Sequence, residues 1–366
     1  MKDEEIYQIA LTMIPEIGSV LTRSLLQTMG TASAIFQAKK KELSAIEGIG
    51  ERKAKLIKEF IDFSTAEKEL NFIRKNNYQL LFQSDDLFPK RLLHCFDAPA
   101  LLYFNGNCNL NAGKIISIVG TRNNSDYGRQ ITEDFIAELP TENLLILSGL
   151  AFGIDAIAHR AALKNKIATV GVLAHGLDRI YPALHRNLSK EMLANGGLLT
   201  EFRKSTLPDK HNFPKRNRIV AGMADATIVI ETAIKGGSII TAELASTYNR
   251  ELFAVPGKIT DSKSCGCNQL IQENKAYLFS GAADFLEWMG WQEKTVVPKK
   301  QRILFYEFTN DELIIADLLR GYELKSMDEL YLSSGLTSSA FAAAILSLEL
   351  QGAVQSLPGK MYRMLD

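Results

Sequence analysis

Short apolar runs alternate with longer amphipathic stretches through the middle of the chain. The apolar runs, which are rich in Val, Ile and Leu, are IISIVG, LLILSG, IATVGVLA, GLLTEF, TIVIET, ELFAVPG and AYLFSG. The stretches between them, such as IDAIAHRAAL and SIITAELASTYNR, are long enough to be crossover helices. Because buried apolar strands that alternate with helices are typical of a parallel sheet covered on both faces, we predict an α/β domain over residues 99–292.

The first hundred residues have a helical pattern instead. Two segments, Ile14–Gly30 and Ile46–Phe60, repeat the order apolar, any two residues, apolar, Gly, and then a helix, so each resembles a helix-hairpin-helix. In the second copy Gly48 and Gly50 permit a tight turn with positive φ. Such a turn either presents backbone amides to a DNA phosphate or packs the hairpin against a neighbour. We predict a helical domain of the helix-hairpin-helix, SAM-like kind over residues 1–98.

The last segment follows a basic, proline-containing linker from Glu293 to Arg302. Three short helical patterns and a hairpin around Pro358 and Gly359 come next, in the order of a winged helix. We therefore predict a winged-helix-like domain over residues 303–366. The helix in the recognition position, Thr337–Leu350, contains no Lys or Arg. Because reading duplex DNA requires such donors, we expect this helix to bind a partner or a second copy of the chain.

The composition excludes several classes of protein. The 366 residues include 42 basic and 42 acidic side chains, so any attraction for nucleic acid must come from a local cluster. No stretch of about 18 apolar residues is present, and the start MKDEEIYQIA is unlike a signal peptide, so we expect a cytoplasmic protein without a membrane span. The four cysteines have neither disulfide nor zinc spacing, and we predict reduced thiols and no metal site.

The first strand is followed by Gly120, Thr121 and Arg122. A dinucleotide site requires G-x-G-x-x-G and an acid at the end of the next strand. This loop has one glycine, and the next strand ends in Ser148 and Gly149. We therefore expect no NAD and no other cofactor. A single glycine and a guanidinium still suffice to hold one phosphate.

The second strand leads into a loop that glycines bracket. Gly149 and Gly153 flank this loop, and the helix N-terminus that follows is suited to an anion. Asp155 and His159 stand four residues apart on the same helix. They are either an acid–base or metal-binding pair, or they fix the loop through hydrogen bonds. Because the sequence offers no third ligand, we favour the second interpretation.

A cluster of positively charged residues follows the fourth strand, although the net charge of the whole chain is zero. Six basic residues and one acid lie between Arg203 and Arg218. Lys210 precedes Phe213, and further cations follow at the start of a helix. Cations interleaved with an aromatic residue suit a single strand of nucleic acid, which needs phosphate partners and a stacking face. The alternative is a solvated basic helix start with Phe213 in the core.

The fifth strand ends at Glu231 and is followed by a loop with Gly237 and Ser238 at a helix N-terminus. Nucleotide-cleaving proteins of similar fold have loops of this kind. An enzyme that cleaves nucleoside monophosphates is therefore the alternative function, with Glu231 or Glu243 as its acid–base group. A nuclease would need a cluster of carboxylates for two metals, which the strand ends lack.

Eight sequence blocks follow one another between about Leu101 and Gly281. They are IVGTR, SGLAFGIDAIAHRAAL, GLDRIYPALHRNL, LLTEF, NFPKRNRIVAG, GGSIITAELA, AVPG and GCNQLI. Together they resemble the DNA-processing protein A family, also called DprA or Smf. The resemblance implies an extended Rossmann fold and a homodimer that binds single-stranded DNA and loads the RecA recombinase onto it. It implies a non-enzymatic role in natural transformation or homologous recombination, and the sequence does not say whether the source is naturally competent.

The resemblance also assigns residues to the DNA site. Arg122 matches the arginine of the family's G-T/S-R motif. Lys210 and Phe213 match its lysine and aromatic residue, and Arg216 and Arg218 match two of its arginines. Together with the strand-end loops, the predicted DNA-binding residues are Gly120, Thr121, Arg122, Ser148, Gly149, Gly153, Arg186, Lys210, Phe213, Lys215, Arg216, Asn217, Arg218, Gly237 and Ser238. No catalytic residue is predicted.

Two positions depart from the family pattern. Some members have a basic residue directly after the Tyr-Pro pair, where this chain has Ala183, although Arg186 follows a little later. The Gly-Ala that commonly follows the N-x-L-I motif is replaced by Lys275 and Ala276. The first departure weakens the case for a phosphate contact at that loop. We expect neither change to abolish binding.

Overall fold

The computed structural model describes residues 3–292, 308–321 and 324–365. The chain divides into two compact units, one of Met1–Tyr248 with Leu252–Phe279 and the other of Asn249–Glu251 with Ser280–Asp366. The predicted linker Glu293–Arg302 lies outside the described residues. The limits 1–98, 99–292 and 303–366 for three domains stay predictions.

The first unit begins with helices, as the sequence pattern predicts. They are α1 (Glu4–Leu11), α2 (Ser19–Met29), α3 (Ala32–Gln37), α4 (Lys40–Ser44), α5 (Gly50–Lys58) and α6 (Phe63–Lys75). Buried aliphatic residues from these helices, among them Leu11, Leu25 and Ile57, form one core. Gly48 and Gly50 have φ values of +79° and +61°. The positive-φ turn predicted for the second hairpin is therefore confirmed.

Two strands lie near the end of the segment for which the sequence pattern predicts helices. β1 (Gln79–Phe82) and β2 (Leu101–Gly106) are antiparallel, with Leu81 opposite Leu102. A short helix, α7 (Lys90–Leu93), lies between them. The helical prediction is wrong at β1, because an apolar run of this length has no periodicity that separates a strand from a helix.

The remaining strands of the sheet coincide with the predicted apolar runs. They are β3 (Lys114–Val119), β4 (Leu144–Ser148), β5 (Ala168–Val172), β6 (Gly196–Thr200), β7 (Ala226–Val229), β8 (Glu251–Ala254) and β9 (Tyr277–Leu278). Their order is β1-β2-β6-β5-β4-β3-β7-β8-β9. The pairs that join β6, β5, β4, β3 and β7 are parallel, whereas β2 runs antiparallel to β6. The predicted parallel sheet is confirmed at its centre, and an antiparallel edge extends it.

Helices join the strands and cover the sheet. They are α8 (Asp126–Ala137), α9 (Ile154–Lys164), α10 (Arg186–Met192), α11 (Asn212–Met223), α12 (Gly237–Thr247) and α13 (Cys265–Gln272). Central strand residues such as Ile116, Leu145 and Val170 are fully buried between these layers. Within the described residues, no helix has the length and apolar character that crossing a membrane requires.

The position of β3 in the sheet creates a crevice. β3 has β4 on one side and β7 on the other, although β4 follows it in the chain and β7 comes much later. The loops after β3 and β7 therefore diverge at the carboxyl edge of the sheet. In open α/β sheets a reversal of this kind is where ligands bind.

The second unit contains a winged helix, as predicted. The elements of this unit are α14 (Ala282–Trp288), α15 (Asn310–Leu319), β10 (Lys325–Ser326), α16 (Met327–Ser334), α17 (Ser338–Gln351), β11 (Val354–Leu357) and β12 (Met361–Met364). The three strands form a small antiparallel sheet in the order β10-β12-β11. Ile315, Leu330 and Leu348 are fully buried in its core. Capping boxes begin α15 at Thr309 and α16 at Ser326.

Candidate functional site

A pocket of about 340 Å³, here called the strand-end pocket, lies at the carboxyl ends of β3, β4 and β7. The loops after these strands form part of its wall, and the first turns of α11 and α12 complete it. Its lining is Val119, Gly120, Thr121, Arg122, Gly149, Ala151, Asp155, Phe213, Arg216, Asn217, Val220, Thr232, Ala233, Gly236, Gly237, Ser238 and Thr241. The pocket thus occupies the crevice at the sheet reversal.

Arg122 and Phe213 meet at the mouth of this pocket. Arg122 comes from the loop after β3 and Phe213 from the first turn of α11, and the guanidinium carbon of Arg122 lies 5.4 Å from the ring centroid of Phe213. Arg122 is exposed, whereas Phe213 is half-buried. A cation at this distance over a ring face is attracted by the ring quadrupole. The contact presents a phosphate donor and a stacking face side by side.

An aromatic cleft adjoins the strand-end pocket. Arg122, Phe213, Phe152 and Tyr181 are among the residues that line it. The rings of Tyr181 and Phe213 are 6.3 Å apart between centroids. Tyr181 and Phe152 are 47% and 41% exposed, which leaves ring area accessible to a ligand.

Arg216 is one of the residues that line the pocket, although it is largely buried. Its guanidinium donates hydrogen bonds to the backbone carbonyls of Gly149 and Val172. Burial lowers the pKa of Arg216, and the nearby Arg122 lowers it further, while Asp155 opposes the shift. A Cβ at Gly149 would displace this guanidinium, so the present position of Arg216 depends on a glycine there. Arg216 therefore joins the ends of β4 and β5 and adds a fixed positive charge to the pocket lining.

The first turn of α12 supplies small residues to the opposite wall. Gly236 is the N-cap of this helix and makes no side-chain capping bond. The amide nitrogen of the Asn217 side chain donates to the Gly237 carbonyl at 3.3 Å, which holds α11 against the start of α12. Apart from the adjoining residues of the chain, no atom of the described residues lies within 4 Å of the position that a Cβ would take at Gly237, so the backbone here is open to a ligand. Helix N-termini with unpaired amides favour anions.

Asp155 and His159 each make hydrogen bonds to a different part of the structure. The Asp155 carboxylate accepts hydrogen bonds from the amides of Gly149 and Ala151, at 3.2 and 3.3 Å. The Nδ1 of His159 is 2.7 Å from the Thr169 hydroxyl, in the core. Burial raises the pKa of Asp155 and lowers that of His159 to about 3. The interpretation that these residues hold the loop is confirmed for Asp155, and His159 instead bonds to β5.

Glu231 is tied to the start of α8. Its carboxylate accepts from the Ser125 amide at 2.8 Å and from the Ser125 hydroxyl, and the residue is 1% exposed. Ser125 also caps α8 by accepting from the Gly128 amide. Glu243 is exposed on α12 and does not line the strand-end pocket. Neither carboxylate therefore faces the pocket as a free acid–base group.

The strand-end pocket brings together nine of the predicted DNA-binding residues, and the other six are not part of its lining. The lining of the strand-end pocket contains Gly120, Thr121, Arg122, Gly149, Phe213, Arg216, Asn217, Gly237 and Ser238. Ser148 is buried and its hydroxyl donates to the Ile118 carbonyl. Gly153 is the N-cap of α9, has a φ of +74°, lies against the backbone of Thr121 and Arg122, and lines a neighbouring groove. Arg186 and Lys210 are exposed outside the pocket.

Lys215 and Arg218 belong to a different surface. Both line a groove against the first hairpin, which includes Gly18 and Ser19. Arg218 is paired with Glu201 and with the Asp97 carbonyl, whereas Lys215 is exposed. The positions of these two residues give them no contact with the strand-end pocket.

Sequence reasoning missed several residues around the site. Tyr181 and Phe152 of the aromatic cleft were not predicted, and neither were Thr232 and Ala233 of the pocket wall. The signal was present, because each of them follows a strand of the parallel sheet. Among the described residues, no group of three or more His, Cys, Asp or Glu side chains is arranged to hold a metal.

Three family models match successive parts of the chain. The model described as DNA recombination-mediator protein A matches residues 79–290. A SAM-like helix-hairpin-helix tandem matches residues 9–62, and the DprA winged helix domain matches residues 308–360. The first of these matches includes the whole strand-end pocket.

Individual relatives extend the similarity to the full chain. Protein Smf of Synechocystis sp. is 30% identical, and the alignment covers 98% of each chain. The X-ray structure of DNA processing protein A from Streptococcus pneumoniae is similar with a TM-score of 0.67 and 32% identity, over 78% of this chain and 98% of that one. A Helicobacter pylori structure that addresses the unique single-stranded DNA binding mode of DNA processing protein A has a TM-score of 0.53 and 31% identity, over 58% of this chain and 94% of that one.

Proposed function

Because the chain belongs to the DNA recombination-mediator protein A family, which includes DprA and Smf, we propose that it binds single-stranded DNA in the strand-end pocket. The observation that carries the proposal is the contact between the exposed Arg122 guanidinium and the half-buried Phe213 ring, 5.4 Å from its centroid. A single strand needs phosphate neutralisation and base stacking at adjacent positions, and this pair supplies both.

The surroundings of this pair favour a polynucleotide over a small nucleotide. The loop after β3 has one glycine, which is too few for a dinucleotide pyrophosphate. The aromatic cleft continues the stacking surface from Phe213 through Tyr181 to Phe152. A base stacked on such a ring contributes about 1–3 kcal/mol irrespective of its identity. The relative from Helicobacter pylori is likewise described by its single-stranded DNA binding mode.

The role proposed in the cell is that of a recombination mediator. The chain, acting as a homodimer, binds incoming or processed single strands in the cytoplasm and loads RecA onto them during natural transformation or homologous recombination. The family description as a recombination mediator supports this role, and α17 of the winged helix, which has no Lys or Arg, suits a protein partner better than DNA.

We further propose that the chain is not an enzyme. The alternative, cleavage of nucleoside monophosphates, needs a carboxylate that reaches the substrate from the strand-end pocket. Glu231 is buried and accepts two hydrogen bonds from Ser125. Incubation with each nucleoside monophosphate should therefore release no free base. Base release that disappears in Glu231→Gln would establish the enzyme instead.

The deciding experiment compares oligonucleotides of identical sequence in single-stranded and blunt duplex form across a salt series. We expect the single strand to bind more tightly, with an affinity that falls as salt rises because phosphate contacts release counterions. Equal affinity for the two forms, or indifference to salt, would contradict the proposal. RecA loading is tested separately, by adding the protein to RecA and a single strand coated with single-strand-binding protein and measuring strand exchange.

A further inference from the structure

A second concave surface, here called the side groove, lies between α8 and α9. Its volume is about 480 Å³, and Arg129 of α8 and Arg160 of α9 line it. Phe152, from the loop after β4, lies at one end. Gly153, one of the predicted DNA-binding residues outside the strand-end pocket, also lines the side groove.

Shared lining residues link the side groove to the strand-end pocket by way of the aromatic cleft. Phe152 lines both the side groove and the aromatic cleft. Arg122 and Phe213 line both the aromatic cleft and the strand-end pocket. A ligand that leaves the pocket across the aromatic cleft therefore meets Phe152, which also belongs to the side groove.

The charge of the side groove suits a polyanion. Arg129 and Arg160 are exposed, and within the described residues neither guanidinium makes a hydrogen bond or an ion pair. Glu133 is the one carboxylate among the lining residues. Exposed arginines without carboxylate partners are free to pair with phosphates, and a guanidinium does so with two parallel hydrogen bonds.

Phe152 is held in a position from which it can stack. Its ring is 41% exposed and packs edge-on against His185, with the centroids 5.0 Å apart. His185 is buried and its Nδ1 bonds to the Leu150 carbonyl at 2.9 Å, which anchors the ring beneath Phe152. A fixed, exposed ring between two cationic surfaces is the arrangement that binds successive bases of a single strand.

We infer that the side groove holds the next segment of the same single strand, beyond the strand-end pocket. Arg129 and Arg160 pair with phosphates of this segment, and Phe152 stacks on a base between the two sites. This inference rests on the proposed function, because the strand must first occupy the pocket at Arg122. It deepens that function by extending the site from one pocket to a track.

The test uses single strands of about 4 and about 16 nucleotides, a span over which binding-site sizes vary in single-strand-binding folds. In Arg129→Ala/Arg160→Ala, the long strand should bind more weakly, while the short strand keeps the parent affinity. The slope of log affinity against log salt should fall by roughly 1.4 for the long strand, since each single-strand phosphate contact contributes about 0.7. Phe152→Ala should weaken the long strand without a change in slope.

Two matched variants distinguish direct contacts between the arginines and the strand from the electrostatic field of the whole protein. Lys164→Ala removes one positive charge from α9 one turn beyond Arg160, at an exposed position outside the side groove. It should leave the binding of both strands unchanged. Glu133→Gln removes the carboxylate of the side groove and should tighten the long strand alone. All variants are checked by thermal unfolding, and the exposed arginine positions should melt like the parent.

The outcomes distinguish this inference from the proposed function. If Arg122→Ala weakens the short strand but Arg129→Ala/Arg160→Ala binds both lengths like the parent, the track is wrong and the pocket stands. A second outcome is that the double variant weakens the binding of both strand lengths equally, or weakens it no more than Lys164→Ala does. Either result would mean that the arginines act only through the electrostatic field of the whole protein, and the track would again be wrong. If Arg122→Ala changes neither length, the proposed function itself fails.

Discussion

At the scale of single residues, Arg122 and Phe213 are in contact, but we expect Arg122 to bind DNA through charge and Phe213 through base stacking. Arg122→Ala should weaken single-strand binding and lower the slope of log affinity against log salt by roughly 0.7 for each phosphate that Arg122 neutralises. Phe213→Ala should cost about 1–3 kcal/mol of binding free energy with the slope nearly unchanged, because stacking releases no counterions. Fluorescence anisotropy titrations at several salt concentrations measure both quantities.

Thermal unfolding provides the control for Phe213. Its ring is half-buried, so truncation also removes packing. A variant that melts far below the parent but binds normally when folded would make Phe213 a structural residue and exclude the stacking role. The effect of Arg122 on the slope would be unaffected by that result.

Lys210 tests whether the cationic surface extends beyond the pocket. The residue is exposed and lies outside the pocket lining, three positions before Phe213. Lys210→Ala should weaken single strands and lower the salt slope, as Arg122→Ala does, since an exposed ammonium contacts phosphate as a point charge. If Lys210→Ala gives the same slope of log affinity against log salt as the parent, Lys210 does not contact the bound strand.

His159 makes the stability of the fold depend on pH. Burial lowers its pKa from 6.5 to about 3, and the charges of His185 and Arg216 add to the shift. Between these values the unfolded chain binds a proton that the native chain does not, so stability falls as pH falls, by up to about 1.4 kcal/mol per pH unit. His159→Asn keeps an N–H for Thr169 without titrating. Urea unfolding should show the parent losing more stability than the variant as pH decreases through this window, and equal losses would contradict the assignment.

The cations of α11 show what the sequence can predict at this scale. Lys215, Arg216 and Arg218 are equally basic in sequence, but Arg216 points to a different side of α11 from the other two, because each helical residue turns the side chain by about 100°. Arg216 is largely buried in the pocket lining, Arg218 is paired with Glu201, and Lys215 is exposed in another groove. The basic cluster was predictable from the local sequence, whereas the partner of each cation depends on how α11 packs.

At the scale of elements, one hydrogen-bonded pair holds β7 to α8. Glu231 follows β7 and Ser125 begins α8, and they share two hydrogen bonds. Glu231→Gln and Ser125→Ala should each lower the free energy of unfolding by about 1–3 kcal/mol, because each leaves a buried polar partner unsatisfied. The double variant should lose less than the sum of the single losses. Denaturant unfolding measures this cycle, and strict additivity would show that the two side chains act independently.

Strand prediction succeeded where the sheet is parallel and failed at its antiparallel edge. The runs of β3, β4 and β5 are flanked by helical patterns, so their type follows from the alternation of elements. β1 has four residues and follows α6 closely, without a crossover helix to mark it. Its identity as a strand comes from pairing with β2, a tertiary contact that no local window contains.

At the scale of the whole molecule, DNA affinity should belong to the first unit. All residues of the strand-end pocket lie before residue 242, and α17 of the second unit has no basic side chain. A chain that ends at residue 292 should therefore bind the short single strand with the parent affinity. Circular dichroism shows whether the truncated chain is folded. If it is folded but has lost this affinity, the winged helix contacts DNA.

For the single-strand binding proposed above, the concave shape of the strand-end pocket has a consequence for competition with chromosomal DNA. Duplex DNA is stiff over roughly 150 base pairs, so neither of its strands can fold alone into a cavity of about 340 Å³. With equal numbers of basic and acidic residues, the remaining surface has little attraction for the duplex phosphates that outnumber any single strand. The genome is then a weak competitor. A molecule built in this way spends little time on the wrong polymer and needs no sequence preference to reach a rare stretch of unpaired DNA.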